Sequence, residues 1–131
     1  MKKYNLYYFL KKEFSFVLIK NNKIIYKSKS QGLKPLVFCL KKHRKKMKEA
    51  IVYDKVIGLA AAMLLEYGNV TEVWTPIISK EARQYLIRDE IKIIHNKEVK
   101  NIMNKNKSDL CEMEKLAQKE GLKGLRKFWG I

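Results

Sequence analysis

The sequence predicts an α/β protein with three layers, in which helices cover both faces of a mixed five-stranded sheet. Two β-branched and aromatic segments, 14–20 and 23–27, are joined by Asn21-Asn22, and asparagine tolerates the positive φ angles of a tight hairpin. Strand-length and helix-length apolar segments then alternate along the chain. This alternation is typical of a sheet packed between helices.

Each remaining element has a local signal. Pro35 suits the first turn of a helix, Ser79 is a good N-cap, and Asp109 and Glu112 have capping-box spacing. Gly68 fits the position that ends a helix, and Pro76 is expected to close a strand. We therefore predict helices at 3–12, 35–46, 55–67, 79–88, 98–103 and 109–120, strands at 50–53, 70–75 and 90–95, and a loop at 104–108.

The segment 50–67 is expected to form the centre of the domain. Its apolar start has the length of a buried strand, and the run from Val56 to Leu65 is apolar almost all round, as in a helix buried on more than one side. Asp54-Lys55 lies between them, at the carboxyl end of the strand, where open α/β sheets bind ligands. The residues expected to be almost fully buried are Val56, Leu59, Ala60, Met63 and Leu64.

The 131 residues suggest one domain, 1–120, followed by a basic C-terminal tail, 121–131. No apolar stretch reaches membrane-spanning length, and the N-terminus has no cleavage site of a secretory signal. We therefore expect a cytoplasmic protein without a membrane partner. Its two cysteines are expected to be free thiols.

The net charge of +16 has two interpretations. It indicates a nucleic-acid partner, or it reflects an A/T-rich genome, since lysine far outnumbers arginine. The densest basic run, 41–48, would contact phosphates or would complement the dipole at the end of a helix. Phe128 and Trp129 would stack on bases, or would dock on the domain or on a second copy in a homodimer.

Three segments resemble a family of small uncharacterised prokaryotic proteins, a family of domains of unknown function with a cytidine-deaminase-like fold. They are Gly32-Leu33-Lys34-Pro35-Leu36, Asp54-Lys55-Val56-Ile57-Gly58-Leu59-Ala60-Ala61-Ala62 and Leu110-Cys111-Glu112-Met113-Glu114-Lys115-Leu116. The resemblance covers residues 5–118, and Glu112 replaces a proline of the family pattern. It implies the deaminase-like element order, and the family has no agreed activity.

Zinc deaminases need His or Cys with Glu at one helix start and Pro-Cys-x-x-Cys at the next. By the resemblance, these positions correspond to Gly32–Leu36 and Asp54–Gly58, and neither segment holds the ligands. Without zinc, this route to a hydroxide nucleophile is closed. We expect no metal, no cofactor and no deaminase activity.

The leading functional hypothesis is a site for a small anionic ligand, such as a nucleotide, at the N-termini of two helices. Lys34 and Lys55 would add positive charge there, and Gly32 and Gly58 would allow close approach. Asp54 is the fifth candidate ligand-binding residue. The structural alternative is that Asp54 caps the helix, Lys55 reaches solvent and Gly58 allows helix–strand packing.

A third hypothesis is an enzyme that uses Cys111 as a reactive thiol, with Glu114 close by. Its predicted place in the first turn of a helix favours the thiolate form. A base would have to be His43 or His95, and a buried, inert thiol is the simpler interpretation. A metal site built from Cys39, His43, His95 and Cys111 is a further alternative, since Cys39 and His43 lie one helical turn apart.

Overall fold

The computed structural model describes residues 4–107 and 109–131. The first residue of the predicted helix at 3–12 and the last residue of the predicted loop at 104–108 lie outside these ranges. Within the described part of the chain there are six helices and six strands. In chain order they are α1 Leu6–Lys11, β1 Phe16–Lys20, β2 Lys23–Ser28, α2 Lys34–Lys42, α3 Arg44–Met47, β3 Ile51–Asp54, β4 Val56–Ile57, α4 Leu59–Tyr67, β5 Glu72–Ser79, α5 Lys80–Arg88, β6 Lys92–Val99 and α6 Glu112–Trp129.

The strands form one mixed sheet, as predicted, with six strands instead of five. β1 pairs with β2 and β3 in antiparallel fashion, and β5 pairs in parallel with β3, β4 and β6. β6 pairs with β5 along its whole length, so β3 and β4 lie end to end on the other edge of β5. The sheet has a sixth strand because β3 and β4, which occupy the same position beside β5, are separated at Lys55.

β5 continues through Pro76, which was wrongly expected to end it. Proline cannot donate a backbone hydrogen bond, and here no pairing requires one. The pairing with β3 ends at Trp74 and the pairing with β4 begins at Ile77. The ladder to β6 likewise includes Thr75 and Ile77 and omits Pro76. A central strand thus accommodates a proline at a position that is unpaired on both sides.

Two apolar clusters pack against the sheet. In β1, Phe16 and Leu18 belong to the larger cluster and Val17 and Ile19 to the smaller one, as the two-residue strand period requires. Buried residues of α2, α4, α5 and α6 join the larger cluster, whereas α1 contributes to the smaller one. α4 packs closely against both α5 and α6. These contacts explain why its sequence is apolar almost all round.

The junction before α4 differs from the prediction. The helix begins at Leu59, not at residue 55, because Val56 and Ile57 form β4 and Gly58 is the N-cap. Ala60 is 2% exposed and Leu64 fully buried, as expected. Met63 is only partly buried, and Val56 is 37% exposed and does not belong to the core. Asp54 ends β3 and does not cap α4. Asp54 and Lys55 are therefore followed by the short strand β4, and α4 begins only after this strand.

Other boundaries also moved. The predicted helix at 35–46 is divided at His43 into α2 and α3. The predicted helix at 98–103 is wrong, since β6 extends to Val99 and no helix follows directly. α6 has Cys111 as its N-cap, not Asp109, because the Asp109 carboxylate is bonded to Lys115 at 2.7 Å. Gly121 interrupts α6 with a φ of 65°.

Two further local expectations can be compared with the structure. Gly68 is right-handed, and the left-handed residue after α4 is Asn69, with a φ of 62°. A Cβ at residue 68 would lie 2.7 Å from the Met47 Cε, so the Met47 side chain would have to shift to accommodate it. After Gly121 the chain is helical again, and Trp129 packs against the larger cluster while Phe128 stays exposed. None of the described helices is both long and apolar enough to cross a membrane.

Candidate functional site

A cavity of about 640 Å³ lies where the break between β3 and β4 meets the N-terminal ends of α2, α4 and α6. Four of the five predicted ligand-binding residues line it, together with both residues of the thiol hypothesis: Gly32, Asp54, Lys55, Gly58, Cys111 and Glu114. A smaller cavity of about 310 Å³ beside the β1–β2 hairpin contains none of them. The structure therefore brings together residues from three separate sequence segments.

Glu114 occupies the N-terminus of α4. Its Oε1 accepts a hydrogen bond from the Leu59 N–H at 2.7 Å, and its Oε2 accepts one from the Ala60 N–H at 2.8 Å. These are two of the N–H groups that a helix N-terminus leaves unpaired. Burial raises the pKa of Glu114, and the two hydrogen bonds oppose that rise. A carboxylate of the chain itself thus fills the anion position at this helix.

Gly58 makes this contact possible. A Cβ atom at residue 58 would lie 2.6 Å from the Glu114 Cδ and 2.9 Å from the Ile102 Cγ1, closer than real side chains approach. Gly58 was predicted to allow a ligand to approach, whereas the group that approaches it here is the Glu114 side chain. Gly32 serves a different purpose. It has a φ of 74° with open space around it, so its conformation is what favours glycine.

Asp54 is a second buried carboxyl group at the cavity. It is only 8% exposed, and burial raises its pKa well above the usual value, despite hydrogen bonds from the backbone N–H groups of Val56 and Lys55. Asp54 therefore keeps a proton at a higher pH than an ordinary aspartate, and in that form it can donate a hydrogen bond.

Lys55 and Lys34 have different surroundings. Lys55 lines the cavity with an exposed side chain, and no acidic residue of the described chain pairs with it. Lys34 is the first residue of α2, exposed, and does not line the cavity. No side chain of the described residues caps the N-terminus of α2. Positive charge at the cavity therefore comes from Lys55, from Lys105, which also lines it, and from an uncapped helix end.

Cys111 is half-buried at the cavity wall, where its N–H donates to the Ile102 carbonyl at 3.1 Å. Neither candidate base is close. His43 packs against Tyr26 and Phe38, and His95 is exposed on β6. The lining of the cavity includes neither histidine. Among these residues, a base for the thiol would have to be a carboxylate, and both oxygens of Glu114 are already hydrogen-bonded.

The residues at the cavity do not fit a metal site. The described part of the chain contains no group of three or more His, Cys, Asp or Glu side chains arranged to hold an ion. This contradicts the alternative of a site shared by Cys39, His43, His95 and Cys111. Cys39 is fully buried in the larger cluster, away from the cavity lining. The segments that would correspond to the deaminase ligand positions supply no histidine or cysteine to the cavity; their lining residues are Gly32, Leu33, Asp54, Lys55, Val56 and Gly58.

Sequence reasoning missed several lining residues, including Ser15, Gln31, Ile102 and Asn104. Ser15 lies at the start of β1, and its carbonyl accepts the Lys55 N–H at 2.9 Å. Ile102 and Asn104 come from the segment that was predicted as a helix and a loop. No local pattern marks Ile102 and Asn104 as cavity residues. They reach the cavity only because of the path that the chain takes between β6 and α6.

The fold is that of a small α/β protein with one mixed six-stranded sheet. The chain belongs to the TM1506 family, described as a domain of unknown function (DUF1893), whose sequence profile matches residues 6–123. The predicted membership of a family of domains of unknown function is thereby confirmed, and the cytidine-deaminase-like fold stays a prediction. The crystal structure of a DUF1893 family protein (TM1506) from Thermotoga maritima is similar, with a TM-score of 0.83 and 25% sequence identity over 95% of this chain and 85% of that chain. No curated protein matches.

Proposed function

We propose that this protein binds a small anionic ligand, such as a nucleotide, in the cavity between Gly32, Asp54 and Lys55. The observation that carries the proposal is the convergence at one cavity of an unpaired cation, an uncapped helix end and a buried carboxyl group. The volume of about 640 Å³ lies within the range of small-molecule sites. Much of the lining is apolar, which suits the body of such a ligand.

The anionic group would lie toward Lys55 and the N-terminus of α2. The N-terminus of α4 is not open to it, because the Glu114 carboxylate already accepts the N–H groups of Leu59 and Ala60. The initial hypothesis placed the ligand at the N-termini of two helices, and the proposal now uses the N-terminus of α2 alone. It also assigns Gly58 to holding Glu114 and not to touching the ligand.

Asp54 favours this arrangement through its raised pKa. A negative carboxylate beside the cavity would repel an anion, whereas a protonated Asp54 removes that repulsion and offers a hydrogen-bond donor. Binding would then weaken as the pH rises through the raised pKa of Asp54. Cys111 would contact the ligand as a half-buried thiol, with no chemical step assigned to it.

Calorimetric titration with AMP, GMP, CMP, UMP and ribose 5-phosphate tests the proposal. We expect at least one to bind saturably and to raise the melting temperature, since a ligand of the folded state alone stabilises it. Lys55→Ala should weaken that binding by about 1–3 kcal/mol, the cost of a lost charge-assisted hydrogen bond. Lys80→Ala, another exposed lysine, should not. Equal binding by both variants, or no binding in the series, would contradict the proposed site.

The finer description of the fold is also a proposal. The strand positions run β2, β1, β3 with β4, β5 and β6, and helices contribute to clusters on alternate sides of β1. These observations support a three-layer α/β/α arrangement of the cytidine-deaminase-like type. The division into a domain at 1–120 and a basic tail at 121–131, and a cytoplasmic location, likewise stay predictions.

A further inference from the structure

The net charge of the protein is concentrated in two segments. Residues 14–48 contain eleven Lys and Arg and no Asp or Glu, and residues 121–131 contain three and none. The rest of the chain is close to neutral, with 15 basic and 13 acidic residues. A compositional excess of lysine would be spread along the whole chain. The two segments therefore need a separate explanation.

These two segments meet in space at Tyr67, near the end of α4. The Arg44 guanidinium carbon lies 3.7 Å from the centre of the Tyr67 ring, and that of Arg126 lies 4.7 Å from it. Arg44 also donates to the Tyr67 hydroxyl at 2.6 Å and to the Tyr67 carbonyl at 2.9 Å. One aromatic ring thus holds two arginines that are 82 positions apart in the sequence.

The solvent face of α2 continues this region. Lys34, Phe38, Lys41 and Lys42 are its exposed residues and follow helical spacing, so they share one face. The Lys41 Nζ lies 3.9 Å from the position of a Cβ on Gly130, which brings this face to the C-terminal turn of α6. No acidic residue of the described chain forms an ion pair with any of these lysines.

Two aromatic rings are exposed within this positive region. Phe38 is 42% exposed and Phe128 60% exposed. The Phe38 ring stacks on Tyr26 with a centroid distance of 5.0 Å and an interplanar angle of 24°. Because one face of the Phe38 ring is stacked on Tyr26, the opposite face is the one on which a third planar group would stack. This arrangement suits stacking of a base better than insertion between lipid chains, for which a ring has to project.

We propose that this region binds single-stranded nucleic acid, with phosphates on the cations and bases stacked on Phe38 and Phe128. The basic surface consists of Lys34, Phe38, Lys41, Lys42, Arg44, Lys45, Lys46, Arg126, Lys127 and Phe128. A positive surface that follows the backbone, interleaved with aromatic rings, is the usual way in which proteins bind single strands without sequence preference. None of these residues lines the ligand cavity, so the inference does not rest on ligand binding there.

Fluorescence anisotropy with a labelled 20-nucleotide mixed-sequence DNA, its RNA counterpart and the DNA duplex tests the inference. We expect the single strands to bind, with an affinity that falls as salt rises. The variant Lys42→Gln/Lys45→Gln/Lys46→Gln should bind about tenfold or more weakly and reduce the salt slope by about 2, since each lost phosphate contact removes about 0.7. The control Lys80→Gln/Lys97→Gln/Lys119→Gln removes the same charge from exposed positions elsewhere and should lose less than about threefold.

Phe38→Ala and Phe128→Ala test the stacking. Each should weaken single-strand binding by about fivefold or more without changing the salt slope, because stacking does not release counterions. Thermal melts of every variant establish that it is folded. Equal losses in the two triple variants would overturn the proposed surface. Binding to vesicles of anionic phospholipid without binding to any oligonucleotide would overturn it in favour of a membrane.

Discussion

Gly58 and Glu114 are matched across the cavity: a Cβ on Gly58 would lie 2.6 Å from the Glu114 Cδ. Because residue 58 has no side chain, the Glu114 carboxylate reaches the Leu59 and Ala60 N–H groups and closes the start of α4. The two residues are 56 positions apart in the sequence. Their contact joins α6 to the central helix of the domain.

Gly58→Ala should lower the free energy of unfolding by about 1–3 kcal/mol, the usual cost of overpacking. Urea unfolding measures this loss. Glu114→Ala should also destabilise, because it leaves two N–H groups without their partner. The double variant should cost clearly less than the sum of the two, since the clash with Glu114 is gone once its side chain is removed and only the contact with the Ile102 Cγ1 stays. Full additivity would show that the glycine does not serve this contact.

Asp54→Asn should change the pH dependence of stability. A pKa that is raised on folding means that the folded state holds the proton more tightly, so this stabilisation is present below the ordinary value of 3.8. It is lost as the pH rises through the raised pKa. Asparagine does not titrate. The difference in unfolding free energy between Asp54→Asn and the parent protein should therefore change in favour of the variant between about pH 4 and about pH 7.

Chemical unfolding at several pH values measures the effect. Asp89→Asn, at the exposed end of α5, is the matched control and should follow the parent curve. Glu114 also has a raised pKa and contributes in the same direction, so Asp54→Asn should retain part of the pH dependence. Parallel curves for the parent and Asp54→Asn would contradict the assignment of Asp54 as a buried, proton-retaining group.

The two cysteines should react very differently with a chromogenic disulfide reagent at about pH 8. Burial raises the pKa of Cys39 to about 12 and excludes the reagent, so Cys39 should react only after unfolding. Cys111 is half-buried at the cavity wall and should react in the folded protein. Cys111→Ser should abolish the reaction of the folded protein, and Cys39→Ser should leave it unchanged. A fast second equivalent without denaturant would contradict this burial.

Ala60→Asp should prevent folding. Ala60 is almost fully buried, and its N–H is bonded to Glu114, so a new carboxylate would be desolvated beside an existing one. The cost of an unpaired buried charge is at least about 3 kcal/mol, a large fraction of the stability of a domain of this size. Differential scanning calorimetry should show no cooperative transition. Gln84→Asp, at an exposed position of α5, should melt like the parent, and a parent-like transition for Ala60→Asp would show that α4 is not central.

The elements that were predicted well have local causes. Asn21 and Asn22 adopt φ angles of 52° and 64°, so the hairpin follows from the conformations that asparagine tolerates. The Ser79 side chain accepts the Ala82 N–H at 3.2 Å, and α5 begins where this cap predicts. Such signals act within a few residues of the chain. They need no knowledge of what packs against them.

The sequence by itself determined the hairpin, the helix caps with local partners, the mixed α/β class and six of the 17 residues that line the cavity. Only the tertiary structure decided that β5 passes through Pro76, that α4 starts at Leu59 and that Glu114 closes its N-terminus. It also decided that Arg44 and Arg126 share the ring of Tyr67. Each of these features depends on a partner that is distant in the sequence. Local propensity is a weak guide at such positions, because the contacts with that partner decide the conformation of the backbone and the placement of the side chains.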